Sequence, residues 1–586
     1  MRCLFFILFL SALSISHAQQ KTTLEEGFMS PPDSIRTGTF WYWISDNISK
    51  EGAIADLHAM KKAGINLAFI GNIGPSYHSS SNHPYGKVKF MSEEWWQVMH
   101  AALKTATELD IEIGIFNSPG WSQSGGPWVK PEQSMRYLAS SELVVRGPKK
   151  ISEKIPAPAH DFQDVKVLAF KARRDNLFDR GSVSFSSNIK GFVDYQYALP
   201  AGAESHITLT LPQAETVRGI LIHPAYYLHT QCLLQVRDGN EYKTIKEFPA
   251  SRDATIDPQR GFDQLAPIVE SLPETTGSQF RLVFKNTKEN SIISSITLTT
   301  APVVHRYPAK TFAKPENSTA APASFPDPSL FVAPEQVSDI SAHLAADGTH
   351  NWDVPEGDWV ILRTGMTPTG VKNSPAPPQA TGLETDKLSK EHIHAHFDAF
   401  LGEIHKRIPE ADRKCWKYTV LDSYEKGGQN ITDNFLELFK LHYGYDPTPF
   451  LPTYYGYPVG SYEISDRFLW DMRRFVADRI ACEYVAGLRE KSHQYGLKTW
   501  IENYGHGGFS AEFLQYGGQS DEVSGEFWNS RHIAEKRAAA SCAHIYNKPR
   551  VWAEAFTNDG RNGSAYQRHP GMLKKLGDQA FTEGIN

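Results

Sequence analysis

Thr39-Phe40-Trp41-Tyr42-Trp43-Ile44 is an aromatic and β-branched run, the composition of a strand, and the segments on its C-terminal side decide the fold. Ile54, Leu57 and Met60 recur at helical spacing, with Ser49 placed to cap the start and Gly64 to end it. An apolar strand from Ile65 to Ile70, a helix from Ser92 through Leu109 and a strand from Ile111 to Phe116 come next. Strands that alternate with helices in this way make βαβ units, and therefore a parallel sheet.

From about Val144 to Thr300 the pattern changes to short alternating runs such as His206-Ile207-Thr208-Leu209-Thr210-Leu211 and Phe280-Arg281-Leu282-Val283-Phe284. Broken by Gly, Pro and Asp, these predict an antiparallel β-sandwich inserted in the parallel fold. A Pro-rich connection from Pro315 to Pro334 and a short β segment from Trp352 to Leu362 come after it. The alternation then resumes: a helix over Glu391 to Ile408, a strand at Tyr418-Thr419-Val420-Leu421, and a long helix from Asp466 to His493. After these come a strand over Leu497 to Ile501, a helix over Ala534 to Tyr546 and a strand at Val551-Trp552-Ala553. The fold class expected is α/β, a (β/α)8 TIM-like barrel with residues 25–143 as its first part, 144–335 as the inserted sandwich and linker, and 336–586 as its remainder. Gly584-Ile585-Asn586 read as the opening of one more strand, so the expectation is a barrel truncated before its last strand.

The first eighteen residues read as a signal peptide: Arg2, an apolar run from Leu4 to Leu13, and Ser16-His17-Ala18 before Gln19. The mature chain is expected outside the cytoplasm, secreted or periplasmic. No later stretch reaches the roughly 20 apolar residues of a membrane span. The formal charge of −6 in 586 residues gives no basic face for nucleic acid. Cys232, Cys415, Cys482 and Cys542 are scattered without a C-x-x-C pair, which argues against a zinc cluster.

In such barrels the chemistry sits at the C-terminal ends of the strands. Four polar stretches come directly after strands: Asp422-Ser423-Tyr424-Glu425, Glu502-Asn503-Tyr504-Gly505, Gly525-Glu526-Phe527-Trp528 and Ala553-Glu554-Ala555-Phe556. A single strand-end Glu is as often a solvated or ion-paired residue as a functional one, but four strand ends that converge on one mouth are a different matter. Glycoside hydrolysis uses two carboxyl groups, one to protonate the leaving oxygen and one to activate water or attack the sugar, and five are on offer. Trp41, Trp43, Trp121, Trp128, Trp500 and Trp528 lie in or near the same strands and loops, where they either stack on a sugar or fill barrel volume. Of these Trp43, Trp121 and Trp528 are candidate substrate contacts, with His506 a candidate hydroxyl binder.

The chain also resembles glycoside hydrolase family 106. The resemblance is carried by Trp41-Tyr42-Trp43, Asn117-Ser118-Pro119-Gly120-Trp121 with Gly125-Gly126-Pro127-Trp128, and Gly382-Leu383-Glu384-Thr385-Asp386-Lys387-Leu388. It continues through Asp422-Ser423-Tyr424-Glu425, Gly444-Tyr445-Asp446-Pro447, Phe468-Leu469-Trp470-Asp471, Gly525-Glu526-Phe527-Trp528 and Ala553-Glu554-Ala555-Phe556-Thr557, in the family's order. It implies an inverting, exo-acting α-L-rhamnosidase acting on plant polysaccharides or glycosides, with a calcium ion near the bound sugar. It implies Glu425 as general acid with Asp422 its rival, Glu554 as general base, and Glu502 and Glu526 for sugar hydroxyls or calcium. The acid and base of an inverting pair are expected about 6.5–9.5 Å apart. A non-catalytic carbohydrate-binding protein and a glycosidase of another specificity, such as a fucosidase, remain as alternatives, since a fold does not fix the sugar.

Overall fold

The computed structural model describes residues 24–32, 35, 37–75, 84–172, 175–193, 196–254, 261–316, 326–505, 509–529, 535–558 and 567–586. The expected signal peptide over residues 1–18, and His506, lie outside these. Seven strands form one all-parallel sheet in chain order: β1 Gly38–Ile44, β2 Leu67–Ile73, β3 Glu112–Phe116, β4 Trp416–Leu421, β5 Lys498–Glu502, β6 Glu522–Trp528 and β7 Val551–Thr557. Helices α1 (Lys50–Lys62) and α2 (Glu93–Leu109) connect the first three, and their caps are the serines that the sequence marks: Ser49 accepts the Gly52 N–H and Ser92 the Trp95 N–H.

Alternation along β1 sorts its aromatic residues onto two faces. Phe40 and Tyr42 join an inner cluster with Leu67, Phe69, Phe116, Val420 and Trp500, while Trp41 and Trp43 pack into the layer between sheet and helices. The Phe40 ring lies 6.3 Å from the Trp500 ring, although β1 and β5 are separated in the sheet by three strands. Only a curled sheet brings these side chains together, and the aromatic plug inside the curl is the floor of the candidate site.

Between β3 and β4 the described residues build two larger antiparallel sheets and a two-stranded one, Gly125–Gly126 with Leu383–Glu384. Arg136–Lys154 pairs along its length with Thr349–Pro368, which also pairs with Gln163–Lys171; Ser338–Asp339 completes four strands. A second sheet of eight strands spans Ser182 to Thr299 and has its own apolar core, including Leu209, Ile220, Phe248, Phe280, Leu282 and Phe284. Seven of its strands run as one hydrogen-bonded path and Ser182–Phe185 branches off it, paired with Ser205–Pro224, where the alternating pattern predicts a sandwich. The long strands Ser205–Pro224 and Ile268–Lys285 run through it with register shifts between Thr210 and Glu215 and between Val217 and Gly219, the kind of irregularity that bends a strand.

The expected single helix from Asp466 to His493 is three pieces: Tyr462–Arg479, a π turn over Ile480–Val485, and Ala486–Gln494. The π turn carries Tyr484, whose hydroxyl takes a hydrogen bond from Ser124 behind the site.

Candidate active site

The polar residues at the C-terminal ends of β4 to β7 converge. Oxygens from Asp422, Glu502 and Glu554, at the ends of β4, β5 and β7, all lie within 4.8 Å of one another. Glu526 is the register partner of Glu554 across β6 and β7, which sets two carboxyl groups side by side on one face. Its Oε1 accepts the Trp528 indole N–H, and Tyr504 also donates to it. Glu425 accepts from the Trp121 indole at 3.0 Å on one oxygen and from the Ser423 hydroxyl at 3.1 Å on the other. Trp121 in turn stacks on Tyr42, with ring centroids 6.1 Å apart.

Burial governs how these acids ionise, because a charge removed from water without a countercharge is costly. Burial lifts Asp422 to about 6, with the Glu425 charge adding to it and the Ser423 N–H opposing. Burial lifts Glu526 to about 7. Glu554 reaches about 8, first through burial and then through the charges of Glu526 and Asp422; Glu425 contributes as well, so the expected acid and base sense each other across the pocket. Glu502 is raised well above the carboxylate range by burial and by Asp422, to which it is hydrogen-bonded. Its Oε1 is buried with no hydrogen-bond partner among the described residues. Burial and the surrounding carboxylates likewise keep the Tyr42 and Tyr504 phenols protonated, as donors.

Such a group has two uses. It can hold and release protons near neutrality, or its oxygens can surround a hard cation. Calcium binds oxygen at about 2.3–2.6 Å, so oxygens up to about 5 Å apart can share one ion, and the Asp422, Glu502 and Glu554 set fits that span.

Of the residues singled out by sequence, Asp422, Glu425, Glu502, Glu526, Glu554, Trp121 and Trp528 come together. Trp43 does not: it is 4 % exposed, edge-on to Trp41 and Trp95 on the opposite face of β1 from the carboxylates. Expected as a metal residue, Glu526 sits beside the three-carboxylate set, held by Trp528 and Tyr504. Sequence reasoning misses Tyr42, Tyr504 and Gln123, the last donating to the Asp422 carbonyl. Strand parity could have found Tyr42, but with Phe40, Trp41, Tyr42 and Trp43 in a row both faces are aromatic and alternation gives no contrast.

The sequence profile of glycoside hydrolase family 106, described as alpha-L-rhamnosidase, matches residues 29–586. A solved rhamnosidase from Novosphingobium sp. PP1Y superimposes with a TM-score of 0.80 at 26% identity, over 96% of this chain and 56% of that one. A Formosa agariphila protein provisionally named a beta-glucuronidase is 29% identical over 99% of this chain and 38% of its own length. The chain thus spans little more than half of the solved relative and well under half of the other.

Proposed function

The chain belongs to glycoside hydrolase family 106, and from that premise we propose that it cleaves terminal α-L-rhamnosyl residues from plant polysaccharides or glycosides with inversion at the sugar's anomeric carbon. The observation that carries this is the set of five carboxyl groups gathered at one mouth over an aromatic floor. In this reading Glu425 gives its proton to the departing glycosidic oxygen, while Glu554 takes a proton from the water that attacks the anomeric carbon from the opposite face. Asp422, hydrogen-bonded through its backbone to Gln123 and through its side chain to Glu502, shapes the field around both. Tyr42 and Trp121 offer a stacked aromatic surface for the C–H face of a deoxy sugar, and Trp528 and Glu526 line the far wall.

A calcium ion held by Asp422, Glu502 and Glu554 would supply the positive charge that keeps these buried groups ionised, the state a general base needs. The name of the Formosa relative points instead to a uronic acid. That substrate brings a further negative charge to a pocket already crowded with carboxyl groups, which disfavours it here.

We also propose that the curled parallel sheet is the greater part of a (β/α)8 barrel and the eight-stranded sheet a bent sandwich; the ring contacts from β1 to β5 and the bulged long strands support these readings. The reading of residues 1–18 as a signal peptide supports a periplasmic or secreted location, which the amino-terminal sequence of exported protein checks. Among the described residues no helix is long and apolar enough to cross a membrane.

Turnover of nitrophenyl α-L-rhamnoside, α-L-fucoside and β-D-glucuronide tests the sugar, and NMR of the first-formed anomer tests inversion. Rhamnoside turnover alone, with inversion, is the expected result; preference for either other sugar overturns the specificity. Calcium titration of EDTA-treated protein by calorimetry is expected to show binding and restored turnover, and no heat with unchanged turnover removes the metal.

A further inference from the structure

The loop from Asn117 to Gly126, after β3, reaches both expected catalytic positions of β4. Trp121 donates to Glu425, and Gln123 donates to the Asp422 carbonyl while accepting from the Tyr516 hydroxyl. Gln123 sits at φ 116°, a conformation that side-chain-bearing residues rarely adopt and that persists only where the surroundings enforce it.

The enforcing contacts come from a buried ion pair. Glu384 accepts the Ser122 hydroxyl at 2.8 Å on Oε1 and the Ser124 backbone N–H at 3.2 Å on Oε2, so it grips the loop on both sides of Gln123. Lys387 Nζ lies 2.8 Å from Glu384 Oε2, and both side chains are 0% exposed. The same ammonium lies over the Tyr424 and Tyr484 rings at 5.4 and 5.7 Å, and Tyr424 directly precedes Glu425. From Ser124 the network continues to Asn117 and Tyr484. Stability alone does not account for this choice of residues, since an apolar pair of similar volume often serves a core as well or better than buried charges. What charges supply is a strong, directional hold on two donors.

We propose that Glu384 and Lys387 are positioning residues: they lock the segment from Ser122 to Ser124 so that Trp121 and Gln123 hold Glu425 and Asp422 in working geometry. The proposal rests on the reading of those two carboxyl groups as part of the active site.

The test compares Glu384→Gln with Glu270→Gln, a variant in the inserted sheet in which the carboxyl group is also buried and is paired with a partly exposed Arg306. Both are expected to melt earlier. Only Glu384→Gln should lower kcat, by about 10- to 100-fold as befits a displacement on the order of 1 Å, with KM little changed. Only Glu384→Gln should also move the Trp121 indole N–H resonance in a spectrum of 15N-labelled protein. Should Glu384→Gln fail to fold, Ser122→Ala loosens the same grip more gently and is expected to move both readouts in the same direction. A folded Glu384→Gln or Ser122→Ala protein with wild-type kcat and an unmoved Trp121 resonance overturns the proposal. If the wild-type protein hydrolyses no glycoside, the proposed function falls while the Trp121 resonance still reports on the clamp.

Discussion

The inserted eight-stranded sheet and the mouth of the parallel sheet are both buried, but with opposite contents. In the first, Phe248, Phe280, Leu282 and Phe284 are shut away from water, each worth about 1.5–3 kcal/mol of hydrophobic stabilisation. In the second, Asp422, Glu502 and Glu526 are shut away with Glu554 half-buried beside them, and Asp422, Glu526 and Glu554 raise the ionisation cost of their neighbours. Burial is the source of stability in one region and a cost in the other, so side-chain removal should have opposite effects on the two.

The largest expected effect is at the mouth. Glu425→Gln and Glu554→Gln are each expected to lower kcat by about 10²- to 10⁴-fold, the usual contribution of a general acid or base. Because Glu554 sits among other acid groups, Glu554→Gln freed of calcium should melt no earlier than the wild-type protein in the same state. A melting point several degrees lower, read by scanning calorimetry, would show that the carboxyl group is structural and break the contrast. Next in size, Phe284→Ala in the inserted sheet should cost about 3–5 kcal/mol of stability in urea unfolding. Its kcat/KM per folded molecule should stay at the wild-type value; a loss of activity there would mean that the inserted sheet shapes the site.

The smallest effect sharpens the comparison with a half-buried charge that has two cationic partners. Glu583 is bonded to Lys536 at 2.9 Å and Arg537 at 3.0 Å. Burial alone would raise its pKa, but these donors and Gln579 bring it down to about 2. A depressed carboxyl contributes stability above its unfolded value, near 4.5, and loses it as pH falls toward about 2. Glu583→Gln should therefore cost on the order of 1 kcal/mol at pH 7, allowing for solvent screening, and almost nothing near pH 2. A cost that does not change with pH in acid titrations of stability would refute the assignment.

The parts of this architecture that obey a short period are legible in the sequence. Six strands of the parallel sheet and the alternation from Val144 to Thr300 come from local pattern, and the structure brings together the five carboxyl groups read as strand-end residues, Glu526 and Glu554 from within β6 and β7 rather than beyond them. What escapes depends on partners far away in sequence. Glu384 and Lys387 stand in the sequence only as part of the Gly382 to Leu388 motif, with nothing to show a role until Ser122 and Ser124 fold against them. The π turn at Ile480–Val485 is hidden because Leu469, Met472, Val476, Ile480, Tyr484 and Leu488 keep helical spacing through it. Trp43 reads as a site residue because from Phe40 to Trp43 both faces of β1 are aromatic and parity does not mark which side faces the mouth.

The long pairing of Arg136–Lys154 with Thr349–Pro368 bears on how the molecule assembles. β3 and β4 are hydrogen-bonded neighbours, Trp416 opposite Ile113, yet a flexible loop of about 300 residues between them would cost on the order of 5 kcal/mol of entropy to close. Non-local contacts of that kind slow folding. With Arg136 zipped opposite Pro368, the two ends of the excursion already lie side by side before β4 docks, and only the short arms from Phe116 and to Trp416 stay loose. That antiparallel zipper therefore divides the closure in two, first a loop of about 195 residues between Lys154 and Thr349 and then the arms to β3 and β4, so that the second encounter is no longer one between distant halves of the polypeptide.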